Sequence, residues 1–170
     1  QGFIGSNNTN NTTTLGREGS DFTAAIFGYC LNADEVTIWK DVAGVLNADP
    51  KYYPDATKIN TMSYREAIEL SYYGATVIHP KTIKPLENKL IPLYVKSFLK
   101  PKEEGTVIQK STSFDSLQPS YIFIEDQLLV SISPKDFSFI AEDNLSFIFA
   151  QLANTKIKVN LTQNSALNFS

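Results

Sequence analysis

Apolar residues in the first part of the chain recur at helical spacing and are followed by a short apolar strand. The first predicted helix has Ser20 or Asp21 as its N-cap, because either side chain can accept a hydrogen bond from a first-turn N–H. Its apolar face would comprise Phe22, Ala25, Ile26, Tyr29 and Cys30. Residues 35–39 are rich in strand formers and predict a strand. A helix followed by a strand favours an α/β layer over a helical bundle.

The next helices carry clear start and stop signals. Ser63 and Glu66 form a capping box for a helix through Ser71, and Gly74 is well placed to end it. Pro80 suits the first position of a further helix. Residues 91–96 then predict a strand, and residues 106–108 a short edge strand.

Beyond this point the pattern changes. Residues 111–120 are polar and predict a linker between a domain at 1–110 and a second at 121–170. The second domain reads as one or two strands at 121–132, a helix at 142–153, and strands at 157–161 and 164–169. This is the beginning of a ferredoxin-like β-α-β-β-α-β module, without its last helix and strand. We therefore expect an α/β domain followed by an incomplete α+β module, in a fragment of a longer protein.

Composition excludes several classes of protein. The formal net charge is −3 over 170 residues and no basic cluster occurs, so nucleic acid is not a favoured partner. No apolar run is long enough for a membrane helix. The single cysteine cannot form an internal disulfide, which favours a reducing compartment, the cytoplasm.

The loop at Gly16–Asp21 is the best candidate site. It brings an arginine fork, a serine hydroxyl and free backbone N–H groups to a helix N-terminus, which is a favourable place for a carboxylate or phosphate. The polar segment 6–14 before it is either a lid over this anion site or a connector with no role. His79, the one histidine, has no cysteine or second histidine nearby in sequence, so a structural role is favoured over a metal ligand or general base.

These motifs, in their order, resemble the aspartokinases of the amino-acid kinase superfamily. The matching segments are Gly2–Gly5, Thr13–Asp21, Trp39–Val45, Ala48–Pro50, Glu66–Leu70, Gly74–Pro80 and Gly105–Ile108. Residues from about 121 resemble the first ACT module of the same family.

The resemblance implies transfer of the ATP γ-phosphoryl group to the side-chain carboxylate of L-aspartate, with Mg²⁺ accompanying the nucleotide. The product, 4-phospho-L-aspartate, begins lysine, threonine and methionine biosynthesis. Arg17 and Ser20 would hold aspartate, and Asp21 would orient cationic groups near the phosphates. The residues implied to contact ATP are Lys40, Asp41, Leu46, Lys51, Thr76 and Val77.

The ACT-like part implies feedback control by an amino acid, lysine more often than threonine, and pairing of modules in a homodimer or larger assembly. The implied effector residues are Phe139, Ile140, Asn160, Asn164 and Ser165. The chain departs from the family pattern at Glu18, Lys40 and Thr76, and has Asn160 where many lysine-sensitive members have Asp. The family's N-terminal lysine motif is missing, so the fragment alone is expected to be inactive.

Two other functions remain open at this stage. One is a separate regulatory subunit that senses an amino acid without catalysis. The intact Gly16–Asp21 loop favours the kinase over this sensor, because a sensor has no need of the loop. The other is a related phosphotransferase acting on glutamate or carbamate, which the ACT-like part disfavours.

Overall fold

The computed structural model describes residues 2–16, 18–75, 77–113, 119–136 and 138–170. The chain divides into two compact units, unit 1 (Gln1–Phe123) and unit 2 (Ile124–Ser170). The helices of unit 1 are α1 (Gly19–Leu31), α2 (Tyr64–Tyr72) and α3 (Pro80–Lys89). Its strands are β1 (Ile4–Ser6), β2 (Thr12–Thr14), β3 (Val36–Lys40), β4 (Thr61–Ser63), β5 (Leu93–Ser97) and β6 (Thr106–Gln109). Unit 2 contains α4 (Glu142–Asn154).

A mixed four-stranded sheet forms the centre of unit 1, in the order β3-β5-β6-β4. β3 runs parallel to β5, with Val36 opposite Leu93, and β4 runs parallel to β6, whereas β5 and β6 are antiparallel. Helix α1 packs on α3 and β3, and α2 packs on α3 and β4. The fully buried aliphatic residues of this core are Ile83, Leu86, Leu93, Val95 and Ile108. The predicted α/β class is therefore confirmed.

Helix α1 forms where it was predicted, but the face that it buries differs in part from the predicted one. The residues that it buries are Gly19, Asp21, Ala25 and Gly28. Of the predicted face, Ala25 is buried, Phe22 and Ile26 are half-buried, and Tyr29 and Cys30 are exposed, so the prediction was correct only in part. The reason is close packing: a Cβ at Gly28 would lie 2.4 Å from Val36 Cγ2, so the small residues, not the large apolar ones, face the sheet.

The starts of α2 and α3 are capped as predicted. The Ser63 hydroxyl accepts a hydrogen bond from the Glu66 N–H at 3.0 Å, and α2 ends just before Gly74, whose φ is +117°. Pro80 is the first residue of α3, and His79 caps that helix by accepting from the Lys81 N–H through Nδ1 at 3.1 Å. His79 thus has the structural role expected for it.

Residues 6–14, expected to be a lid or a connector, contain part of a β-hairpin. β1 and β2 pair as an antiparallel hairpin, with Gly5 opposite Thr13. The turn is held by Asn7, whose side-chain oxygen accepts from the Thr9 and Asn11 N–H groups, each at 3.0 Å. A run of Ser, Asn and Thr therefore makes ordered turn contacts that its polarity alone did not reveal.

Strand β6 was predicted to be an edge strand and this was wrong, because β4 covers its other side. Strand β4 was missed altogether: three residues, Thr61 to Ser63, are too few to show an alternating pattern.

Unit 2 contains one regular element among its described residues, helix α4, where a helix was predicted. The strands predicted at 121–132, 157–161 and 164–169 do not form ladders there. Isolated bridges join Ile132 to Phe169 and Asn164 to Phe169 instead. Asp126, within the predicted strand region 121–132, has a φ of +56°. Strands need partners along their length, and Ile157 and Leu161, at 58% and 77% exposure, have no apolar surface covering them in unit 2.

Within the part of the chain that the structure describes, no helix has the length and apolar character needed to cross a bilayer.

Candidate functional site

The loop before α1 turns sharply into the N-terminus of that helix. Gly16 has a φ of +80° and Glu18, the N-cap residue, lies in the left-handed region at +56°. The helix begins at Gly19, so Ser20 and Asp21 occupy its first turn and neither is the predicted N-cap. Glu18 stands where the family often has a glycine, and its backbone still adopts the left-handed conformation that glycine favours. Arg17, the predicted carboxylate ligand, lies outside the described residues.

An ion pair joins this loop to the end of β3. Asp21 Oδ2 lies 2.7 Å from Lys40 Nζ, and the two side chains are 12% and 22% exposed. Asp21 is also in the first turn of α1, where the helix dipole stabilises a negative charge. The Lys40 carbonyl accepts from the Phe98 N–H at 2.9 Å, which fixes the end of the strand. The structure therefore brings together Asp21, which was predicted to orient cationic groups near the phosphates, and Lys40, which was predicted to contact ATP.

A cavity of about 310 Å³ lies in unit 1, beside the loop that follows β3. This volume is at the lower end of the range for small-molecule sites. Leu46 and Val77, two of the predicted nucleotide contacts, both line it. The wall residues come from three segments, namely Val42 and 44–50, the end of α2 with Gly74, Ala75 and Val77, and residues 120–123.

The shape of this cavity wall depends on a buried hydroxyl that the sequence did not single out. Thr106 Oγ1 accepts from the Val45 N–H at 2.8 Å and donates to the Ile59 carbonyl at 2.6 Å. Gly44 has a φ of +140°, and a Cβ there would lie 2.6 Å from Thr106 Oγ1. Thr106 therefore fixes the position of the loop after β3 through these two hydrogen bonds. Its position in a short strand gave no sequence signal for this role.

Lys51 and Asp41 do not line the cavity, but each is next in sequence to a residue that does. Asp49 and Pro50 line the cavity, and the Lys51 N–H donates to Asp49 Oδ1 at 2.8 Å. Lys51 Nζ donates to the Tyr52 hydroxyl at 2.9 Å, and this hydrogen bond raises the pKa of Lys51 above its ordinary value. Lys51 is thus an exposed residue that follows the cavity wall in sequence. Asp41 is exposed directly after β3, and Thr76 lies outside the described residues.

The predicted effector residues in unit 2 do not form a single cluster. Ile140 lines an open groove of about 440 Å³ beside α4, and its N–H donates to the Ala166 carbonyl at 2.9 Å, next to Asn164 and Ser165. Phe139 is 74% exposed. Asn160 instead donates its side-chain amide to Gln127. The structure brings Ile140 close to the 164–166 segment, whereas Phe139 and Asn160 do not line the groove.

These observations define an α/β protein. An ion pair joins the start of α1 to the end of β3, and a cavity lies beside the loop that follows β3. Residues 1–97 match the amino acid kinase family, and the chain belongs to that family. Membership of the amino-acid kinase family, predicted from the sequence motifs, is thereby confirmed, whereas the place of the chain within an aspartokinase stays a prediction.

The similar proteins include aspartokinases. The chain is 38% identical over 170 residues to the bifunctional aspartokinase/homoserine dehydrogenase of Haemophilus influenzae, covering 99% of this chain and 21% of that protein. The crystal structure of Escherichia coli aspartokinase III with lysine and aspartate, in the T-state, superposes with a TM-score of 0.78 at 36% identity, covering 99% of this chain and 38% of that one. The R-state structure of the same enzyme with aspartate and ADP gives 0.73 at 34% identity, with the same coverage. The chain therefore spans between a fifth and two-fifths of the length of these relatives.

Proposed function

We propose that this chain is part of an aspartate kinase, to which it contributes the C-terminal portion of the kinase domain and the start of an ACT module. The ion pair between Asp21 and Lys40, 2.7 Å apart, is the observation that carries the proposal. The ion pair joins the loop before α1, which is proposed to bind aspartate, to the end of β3. The loop that follows β3 lines the proposed nucleotide cavity. Two substrates that exchange a phosphoryl group must bind side by side, and this pair spans that junction.

In the proposed reaction a carboxylate oxygen of L-aspartate attacks the γ-phosphorus of ATP. The bond from that phosphorus to the β,γ-bridging oxygen breaks, and the electron pair leaves with ADP. The attacking carboxylate has an ordinary pKa near 3.9 and is already ionised, so no general base is needed. Catalysis then depends on positioning and on neutralising the charge of the transferring group.

The proposed parts of the residues follow the resemblance to the aspartokinases. Arg17 and Ser20 would bind aspartate at the N-terminus of α1. Lys40 keeps N–H donors beyond the one facing Asp21, because an ammonium group has three, and these would meet phosphate oxygens. The other proposed nucleotide contacts are Asp41, Leu46, Lys51, Thr76 and Val77. Mg²⁺ would accompany the nucleotide, as the resemblance implies.

Unit 2 is proposed to be the regulatory part. Lysine, which is bound in the E. coli aspartokinase III structure, is the first effector to test and threonine the second. The groove beside α4 is lined by Ile140, and its volume of about 440 Å³ can accommodate an amino acid. Pairing of these modules in a homodimer, and a cytoplasmic location, belong to the same proposal.

The test is an activity assay on the complete natural protein. Aspartate, MgATP and hydroxylamine should yield aspartyl hydroxamate, and glutamate in place of aspartate should yield little. Added lysine should reduce the product, and threonine is tested alongside. No product, together with saturable lysine binding by calorimetry, would overturn the kinase proposal and leave a regulatory subunit. The 170-residue chain assayed alone should be inactive.

A further inference from the structure

The cavity in unit 1 has mostly apolar walls with few polar side chains. Apolar walls come from Val42, Val45, Leu46, Leu70 and Val77. Such walls hold a flat base by contact but do not distinguish one base from another. Discrimination requires a polar group at a defined position inside the cavity.

Two of the polar residues in the wall are already engaged by the protein. The Asn47 side-chain oxygen accepts from the Thr57 N–H at 2.7 Å, and its amide group faces the Pro119 carbonyl at 3.4 Å. Asp49 Oδ1 accepts from the Lys51 N–H at 2.8 Å. These two side chains therefore shape the wall.

Ser120 is different. The residue lines the cavity, and its hydroxyl oxygen is buried and has no hydrogen-bond partner among the described residues. Buried hydroxyl groups are almost always hydrogen bonded, so an unpartnered one in a residue of the cavity wall is available to a ligand.

The backbone around Ser120 is held firmly enough to place that hydroxyl. The Tyr121 N–H donates to the Asn47 carbonyl at 2.7 Å. Tyr121 stacks on Tyr53 with ring centres 5.7 Å apart, and the ring centres of Phe123 and Tyr52 are 5.2 Å apart. A polar group contributes to specificity only when its own position is fixed, and these contacts fix it.

We propose that Ser120 is a specificity-determining residue of the nucleotide site, whose hydroxyl forms a hydrogen bond with the base. This inference rests on the proposed function, because it takes the cavity to be the nucleoside pocket. The contact lies just before the chain enters unit 2, in a segment outside the 1–97 match to the family.

The experiment measures nucleotide binding to the complete natural protein by calorimetry. The variants are Ser120→Ala, Ser120→Thr, which keeps a hydroxyl, and Ser113→Ala as a control at an exposed serine away from the cavity. The probes are MgADP and ribose 5-diphosphate, which lacks a base and is measured by competition. Ser120→Ala should weaken MgADP about three- to tenfold, the effect of one neutral hydrogen bond. Ribose 5-diphosphate should bind equally to all variants, and Ser120→Thr should stay within about twofold of wild type for MgADP.

The outcomes separate the two proposals. Wild-type binding of MgADP with no change in Ser120→Ala would overturn the role of Ser120 and leave the kinase proposal standing. Equal weakening of both probes would also overturn it, since the effect would not be on the base. Failure of the wild-type protein to bind MgADP or to form aspartyl hydroxamate would overturn both. If Ser120→Ala does not fold, Ser120→Cys is used in its place, because its thiol is a weak donor of similar size and the same loss is expected.

Discussion

The ion pair between Asp21 and Lys40 is the single contact on which the proposed site depends. Both side chains are mostly buried, and the charges lie 2.7 Å apart. Removing one partner leaves the other charge without compensation in a partly desolvated place. Removing both side chains leaves no uncompensated charge. A double variant can therefore regain stability without regaining activity, which separates the structural contribution of the ion pair from its functional contribution.

Lys40→Met should destabilise the protein by about 2 kcal/mol, less than for a fully buried pair because Lys40 keeps some contact with water. Asp21→Asn in the same background should recover most of that loss. The single variants Lys40→Met and Asp21→Asn and the double variant should each form aspartyl hydroxamate at no more than about a hundredth of the wild-type rate. The cation that faces the phosphate is absent without Lys40 and misplaced without Asp21. Urea unfolding and the hydroxamate assay measure the two quantities. Full activity in the double variant would contradict a catalytic role for the pair.

Tyr64 provides a second test at the level of one residue. Its ring is 3% exposed, and its hydroxyl donates to the Ile91 carbonyl at 2.7 Å. Burial, with a smaller contribution from the nearby charge of Glu87, raises the pKa of Tyr64 to about 12. In the unfolded chain the phenol ionises near pH 10. The folded state thus binds more protons than the unfolded state between these values, and stability falls as pH rises through this window.

The free energy of unfolding should therefore decrease by about 2 kcal/mol between pH 10 and pH 12 beyond the change in Tyr64→Phe. The variant loses the hydrogen bond to Ile91 and should be about 1 kcal/mol less stable at pH 7. Denaturant unfolding at a series of pH values provides the comparison. Parallel pH profiles for the two proteins would show that Tyr64 does not carry this dependence.

At the scale of elements, the sequence predicted what local chemistry dictates. The Ser63 cap and the Pro80 start were correct, because a cap is a contact between residues two or three apart. The buried face of α1 could not be predicted, since it depends on how closely Gly28 approaches Val36 on another element. The site followed the same division: Asp21 belongs to a local motif, whereas Thr106 contacts Val45 from 61 residues away.

Thr106 offers the element-scale prediction. Thr106→Val keeps the shape of the side chain but leaves the Val45 N–H and the Ile59 carbonyl without their partner. We expect a loss of about 2 kcal/mol in stability, because two buried groups become unsatisfied. The loop after β3 should also loosen and raise the KM for ATP severalfold, with little change in the KM for aspartate. Thr106→Ser keeps the hydroxyl and should lose less than half as much stability. An equal rise in both KM values would show that Thr106 does not act through the nucleotide loop.

At the scale of the molecule, the two units differ in how much apolar surface they bury. Unit 1 has a continuous core across its sheet and helices. In unit 2 Phe169, at 6% exposure, is the buried apolar residue among those described, and α4 buries none of its residues. Leu128 and Leu129 are 93% and 87% exposed. Regions with few buried apolar contacts open at low free-energy cost, and large exposed apolar surface is typical of a binding interface.

Hydrogen exchange should therefore be uneven along the chain. Amides of β5 should exchange slowly, whereas those of α4 and the 128–132 segment should exchange within seconds to minutes in dilute solution. Protection in unit 2 should rise with protein concentration, because a second copy that pairs through this unit, as the proposed regulatory role requires, would cover Leu128 and Leu129. Mass spectrometry of peptides from both units at two concentrations measures this, with β5 as the internal control. Protection of α4 equal to that of β5 at every concentration would contradict both the weak core of unit 2 and the proposed pairing.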